Sequence, residues 1–477
     1  MRDTGMRRWE WLALFAFILF WRLCQLNVLW IEEAYPMVGA IELLHGRLPY
    51  SDFWFDKPPG SLVFYALFGA SPGWALRIVG SLYVLLCCFL AAKLGGRWSA
   101  WLLAAYLNLG IPSAVFAMAP DLLLVAPHLA AVYLAQQGRV WLAGLSSAAA
   151  FLVHTKGALV LLAAMLWNPN WRILAAFLAT LPLHFAGGAA YWQQVWEWGR
   201  TYSTNTFVSN PLAEFAKRTL NWAGFHSAAL LAIQLRASYW SWRHWTWLAI
   251  SLASVVLGFR YFPRYYFFLL APVCVMAGLA LDQLRSRTRA LVLALLLIPA
   301  LRFAPQNLKL LAGDDSWDDL ALFRDSRQIA ATILAQAKPG DTLFVWGYRP
   351  DIQALARMSS GTRYIESQPL DCVFADRHLR PSVPMRNQGC EERFRDFQRY
   401  TPTWFVDGLG PLNPQFRYEP PGYEVVERTN TAVLYRLLNP KQRPQDAAIP
   451  LPRPPAPHPT NPASSGLHAA VNHPAAQ

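Results

Sequence analysis

The residues best placed to do chemistry are charged side chains set beside long apolar runs. They are Glu32, Glu33, Asp56, Lys57, Asp121, His154, Lys156, Arg260 and Arg264. An ionised group near hydrocarbon costs about 2.5–3.5 kcal/mol on insertion scales, so its placement carries more information than it does in a soluble protein. These residues come from separate stretches of chain that each adjoin an apolar run. If the stretches meet at one membrane face they form a polar cavity fitted for acid–base work; apart, they are solvated loop charges.

The first stretch says most. Trp30-Ile31-Glu32-Glu33-Ala34-Tyr35 opens a segment of helical spacing from Glu33 to Leu44, with Ala34, Met37, Val38, Ile41 and Leu44 on one face. That pattern predicts an amphipathic helix lying along the interface. The adjacent carboxylates have two readings. They complement the dipole at the helix start, or one is a general base, because neighbouring acids in a partly dry site repel and one pKa rises.

The elements that must position these groups are membrane spans. Of 477 residues, 55% are hydrophobic and 15% charged, whereas soluble domains carry roughly 25% charged residues. The net charge of +13 lies in short basic clusters between apolar runs, which suits membrane topology and argues against a nucleic-acid module. The 22 Trp suit anchors at the water–lipid boundary. Six cysteines are too scattered for a disulfide scaffold or a zinc site. The apolar stretch from Trp9 to Leu29 is long enough to cross a bilayer and lacks a small-residue cleavage site, so it reads as a retained helix.

Later connections alternate in character. Lys93 to Arg97, Arg139, Arg172, Arg236 to Arg243 and Arg285 to Arg289 are short and basic. Glu32 to Gly60, Pro112 to Asp121, His154 to Lys156, Gln193 to Leu220 and Arg260 to Arg264 hold acids, aromatics and prolines. With the N-terminus cytoplasmic, about eleven spans put every basic connection inside and every other one outside. Within that count, Trp141 to Trp167 reads as two short spans, and Ser61 to Leu90 as one span plus a re-entrant piece. His128 and the Cys87-Cys88 pair read as packed core.

The expected organisation is a transmembrane domain over 1–304, with its first outer loop at 30–60, then a small α/β domain over 305–438 outside the membrane. A Pro- and Ala-rich tail over 439–477 is too poor in apolar residues to order itself. In the α/β domain, Ala321 to Ala337 predicts a helix, Asp341 to Gly347 and Pro402 to Val406 predict strands, and Tyr423 to Glu427 with Thr431 to Leu437 predicts a hairpin. Cys372 and Cys390 either pair, on an oxidising side, or remain free thiols.

The loop now resembles a known family. An acidic pair near a Tyr, then Gly46-Arg47-Leu48-Pro49-Tyr50-Ser51-Asp52, then Asp56-Lys57-Pro58-Pro59-Gly60 is similar to the polytopic glycosyltransferases that use polyprenyl-phosphate sugars. These include the protein O-mannosyltransferases, the lipid A aminoarabinose transferases and the RgtA/B/C/D-like enzymes. Ala119-Pro120-Asp121, His154-Thr155-Lys156 and Arg260 to Tyr266 resemble later motifs of that family, in the same order. One position departs: the family's pair is usually Asp-Glu, and Glu32 stands where the Asp is expected. Either Glu32 or Glu33 is then the base.

The resemblance implies a mainly α, polytopic protein of the C-type glycosyltransferase fold in a bacterial cytoplasmic membrane, with the active site and C-terminal domain periplasmic. It implies an inverting transfer of sugar from a polyprenyl-phosphate donor to a hydroxyl acceptor of the cell envelope: lipid A, polysaccharide or protein. Glu32, Glu33 and Asp121 are the expected catalytic acids, and Lys57, Arg260, Arg264 and Lys156 the donor-phosphate ligands. Tyr35, Trp54, Asp56, His154, Tyr265 and Tyr266 are the expected sugar or lipid contacts. No metal or other cofactor is required, the lipid-linked sugar donor being a substrate, and a divalent metal is left open. The competing reading is a transporter or flippase of a lipid-linked or anionic substrate, although transporters usually show related halves and broken mid-membrane helices.

Overall fold

The first apolar run folds as a helix over Arg8–Leu23, and its buried positions, Glu10, Leu14, Ile18 and Arg22, recur every fourth residue. That stripe packs on the helix Trp74–Gly95, as one face of a 3.6-residue period must. A computed structural model describes residues 5–204, 210–313, 316–372 and 389–438; the tail at 439–477 lies outside the described residues. Among these, the helices Trp74–Gly95, Pro263–Gln283 and Ser286–Leu311 are each long and apolar enough to cross a membrane. A pair bent by 104°, Trp171–His184 with Gly188–Ser203, makes a fourth if it counts as one span. The stretch from Trp141 to Trp167, expected as two short spans, forms two apolar helices, Val140–Val153 and Ala158–Trp167, that are shorter than the crossing helices. The protein is thus mainly helical and largely membrane-embedded.

Packing explains several residues at once. Pro263–Gln283 includes the central helix Phe267–Gln283, in which nearly every side chain is buried. His128 accepts a 2.9 Å hydrogen bond from the Trp247 indole and stacks on Phe268. Cys87 and Cys88 are buried in the same core. Gly60–Ala66 is a short helix ahead of the long helix Trp74–Gly95.

The first loop departs from expectation. Its helix, Ile31–Leu44, is buried continuously from Glu33 to Glu42 rather than lying along the interface. It packs against Gly60–Ala66 and against the helix Pro350–Ala356 of the small domain. Gly39 leaves room for the Phe55 ring, which a Cβ there would meet at 3.2 Å. Glu42, polar in the sequence, is used up in this interface: it accepts hydrogen bonds from Arg47, Ser359, Gln353 and the Ser360 amide. A partner far along the chain converts a polar face into a buried one.

The small domain carries a four-stranded sheet in the order β1-β2-β4-β3. Its strands are β1 (Leu343–Trp346), β2 (Trp404–Asp407), β3 (Tyr423–Arg428) and β4 (Val433–Leu437), close to the four runs read from the sequence. β1 and β2 run parallel, and the other neighbours are antiparallel. Both faces of β1 and β2 are covered: Phe344, Trp346 and Phe405 pack into one cluster, Leu343, Val345, Trp404 and Val406 into another. That is why these strands read as continuous apolar runs. The expected helix spans Asp318–Gln336. Cys372 and Cys390 form a disulfide, which decides between the two readings of that pair.

Candidate active site

Glu32 and Glu33 begin the same helix, yet they face different surroundings. Glu33 is fully buried. Its Oε1 accepts the Trp30 amide at 3.1 Å, so it closes the helix N-terminus. Arg77 donates to both of its oxygens, at 2.6 and 3.1 Å, and the Met118 amide donates at 3.2 Å. Arg22 holds the same stretch by donating to the carbonyls of Val115 and Phe116. Glu33 therefore ties the start of its own helix to the strand of chain that delivers Asp121.

Glu32 points instead into a cavity of about 630 Å³. Its Oε1 receives Arg264 Nη1 at 2.5 Å. The same guanidinium sets its Nε 3.6 Å from Asp121 Oδ2. Asp121, in the first turn of Pro120–Leu123, has Lys156 Nζ at 3.5 Å and His154 Nε2 at 3.9 Å on its other oxygen. Burial raises the Asp121 carboxyl, but Lys156, His154 and Arg264 outweigh it and hold the group below the usual carboxylate range. Asp121 is accordingly a fixed anion.

His154 is a neutral donor. Burial drives its imidazolium down to about 3; Asp121 opposes this, and Lys156, Lys57 and Arg264 add to it. Its Nδ1 accepts the Lys156 amide at 3.1 Å, which leaves the ring proton on Nε2, facing Asp121. Lys57 also lines the cavity, paired with Asp56 at 2.6 Å. Burial lowers its ammonium, but Asp56 more than offsets that and raises it above the ordinary value.

Of the expected residues, the cavity gathers Glu32, Asp56, Lys57, Asp121, His154, Lys156, Arg264 and Tyr265. Tyr265 stands under Lys156, whose Nζ is 3.6 Å from the ring centre. The others are set back from it. Arg260 stacks on Tyr202 at 3.4 Å and donates to the Tyr202 carbonyl, so it braces a cavity wall. Tyr35 stacks on Phe55 and its hydroxyl accepts the Asp56 amide. Trp54 packs with Trp198, Tyr364 and Arg393, joining the loop to the small domain. Tyr266 stacks on Trp222 and bonds to Thr219, lining a separate apolar pocket.

Sequence reasoning missed Arg77, Tyr202, Tyr348 and Glu366. Arg77 sits inside an apolar span, where a buried cation is itself a signal that an acid must be near. Tyr348 and Glu366 line the cavity from the small domain, whose ordinary polar composition hides them. Among the described residues there is no cluster of His, Cys, Asp and Glu that fits a metal.

The fold has a counterpart among solved structures. The chain is similar to ArnT from Cupriavidus metallidurans bound to undecaprenyl phosphate, with a TM-score of 0.52 and 16% identity over 90% of this chain and 98% of that one. The chain shares the ArnT fold. The apo state of ArnT from the same organism gives a TM-score of 0.51 and 15% identity over 89% and 97% of the two chains. Identity this low speaks to architecture alone. No family model matches the sequence, and no curated protein is significantly similar to it.

Proposed function

We propose that this chain is an inverting glycosyltransferase that moves a sugar from a polyprenyl-phosphate donor to a hydroxyl acceptor at the outer face of the cytoplasmic membrane. The observation that carries the reading is the cavity's pairing of one accessible carboxylate, Glu32, with fixed cations at Arg264, Lys156 and Lys57. The ArnT fold, and the lipid phosphate named for that protein, support it.

A sugar on a lipid phosphate already has a good leaving group, so little general acid is needed. The transition state carries positive charge at the anomeric carbon and growing negative charge on phosphate oxygens. Arg264 offers a planar fork to that phosphate, and the two lysines offer point charges. Such preorganised donors are worth about 3–4 kcal/mol each when removed singly. Phosphate entering the cavity competes with Glu32 for Arg264, which frees Glu32 to take the acceptor's proton. Attack from the face opposite the phosphate inverts the anomeric centre. Asp121 keeps Arg264 and Lys156 in place, and Glu33 holds the scaffold beneath both acids.

The topology that goes with this reading is about eleven spans with the N-terminus cytoplasmic. It puts the cavity and the small domain, residues 305–438, in the periplasm. The test incubates the purified protein with a panel of polyprenyl-phosphate sugars and cell-envelope extracts and identifies products by mass. A sugar-sized increment on an envelope acceptor, dependent on one donor, is expected. Facilitated movement of the lipid across vesicles without any transfer would favour the flippase instead.

A further inference from the structure

The small domain contributes a buried carboxyl to the cavity. Glu366 is 3% exposed, lines the cavity, and its Oε2 has no hydrogen-bond partner among the described residues. Asp56, which lines the same cavity, has an Oδ1 likewise without a hydrogen-bond partner among the described residues. Burying such an oxygen without a partner costs about 1–3 kcal/mol, so two on one cavity wall call for an explanation. The surroundings make the position worse for a bare carboxylate: Asp56, Glu32 and Asp371 act on it as like charges, and Lys57 is the cation beside it. Burial, then Asp56, pushes the Glu366 carboxyl well above the usual range, with Lys57 opposing. Two more side chains of the small domain, Tyr348 and Gln368, line the same cavity.

A carboxyl, a carboxamide and a phenol together supply donors and acceptors without adding positive charge. That set does not suit phosphate, which the acids repel, but it suits a ring bearing several hydroxyls. Lys57 fixes the geometry: a phosphate held there places its attached sugar one bond away, within reach of the wall that Glu366 provides.

We propose that Glu366, supported by Tyr348 and Gln368, binds the hydroxyls of the donor's sugar, so that the small domain forms the sugar-selecting wall of the active site. The proposal rests on the donor assignment above. It gives the domain a part in donor choice, and it explains why the first loop is clamped to that domain through Glu42, Arg47 and Ser360.

The test is equilibrium binding to the purified full-length protein of two lipids: the polyprenyl-phosphate sugar that the wild type transfers best, and the same polyprenyl phosphate without sugar. Glu366→Leu fills the same space and removes an unsatisfied buried acid, so folding is retained. It should weaken the sugar-bearing lipid about ten-fold or more, the worth of one to two lost hydrogen bonds, and leave the bare lipid phosphate unchanged. Glu366→Gln, which keeps an acceptor and a donor at the same reach, should stay within about three-fold of wild type. Equal weakening of both lipids, or wild-type binding of the sugar-bearing lipid by Glu366→Leu, overturns the proposal. A Gln variant as impaired as the Leu variant overturns it too. A wild type that binds neither lipid overturns the donor assignment itself, which separates the two failures.

Discussion

Arg264 joins Glu32 to Asp121: one guanidinium lies 2.5 Å from the first carboxylate and 3.6 Å from the second. The helix that carries Glu32 and the short turn that carries Asp121 are far apart in the chain, and Arg264 enters from a third place, the start of the central helix. Replacing Arg264 with Ala leaves two carboxylates facing each other without their shared cation. The expected result is a donor affinity reduced by about ten-fold or more, with acceptor affinity nearly unchanged, read by titrating each substrate at saturating levels of the other. Equal loss in both would remove Arg264 from the phosphate.

Glu33 is a scaffold acid, so its variants should fail by unfolding. Removing one partner of the buried Glu33–Arg77 pair costs about 3–5 kcal/mol, because the other charge is left stranded. Glu33→Ala should therefore lower the unfolding temperature and the yield. Glu33→Gln combined with Arg77→Met should recover much of that loss. Thermal unfolding in detergent measures both. A Glu33→Ala protein as stable as wild type but inactive would restore Glu33 to the chemistry.

His154 stays neutral across the working range because its pKa lies near 3. A group with a depressed folded pKa gains its proton late as pH falls, so His154 contributes no inflexion near neutrality. Rate against pH from about 5 to 8 should have the same shape in His154→Gln as in the wild type, whatever the change in absolute rate. A limb near 6.5 that vanishes in the variant would contradict this.

The Cys372–Cys390 disulfide fits an oxidising compartment. Denaturing alkylation of protein purified without reductant should label four of the six cysteines, Cys24, Cys87, Cys88 and Cys274. Prior reduction should raise that to all six, as counted by intact mass. Six labels without reduction would place the domain on the reducing side.

Charges beside apolar runs were the legible part of this molecule, because hydrocarbon makes each one costly, and seven of the nine do converge. Adjacent acids could not be told apart. What separates Glu32 from Glu33 is Arg77, met in an apolar helix whose sequence pattern says nothing of which acid it will find. The strands of the small domain were legible from their apolar runs. The burial of Ile31–Leu44 was hidden because the surface that covers it, Pro350–Ala356 with Ser359 and Ser360, lies at the other end of the chain. Glu366 was hidden for the opposite reason: an acid in a polar segment draws no notice until the cavity wall it belongs to is seen. Trp54 and Tyr266 carry aromatic character that suits sugar stacking, yet packing partners claimed both.

Glu32 is the base proposed for the acceptor hydroxyl. The most direct measurement is single-turnover sugar transfer by purified wild-type and Glu32→Gln protein, with donor binding recorded on the same samples. A rate lower by at least about 100-fold, with donor bound as tightly as in wild type, is expected. Transfer by Glu32→Gln at the wild-type rate would contradict it.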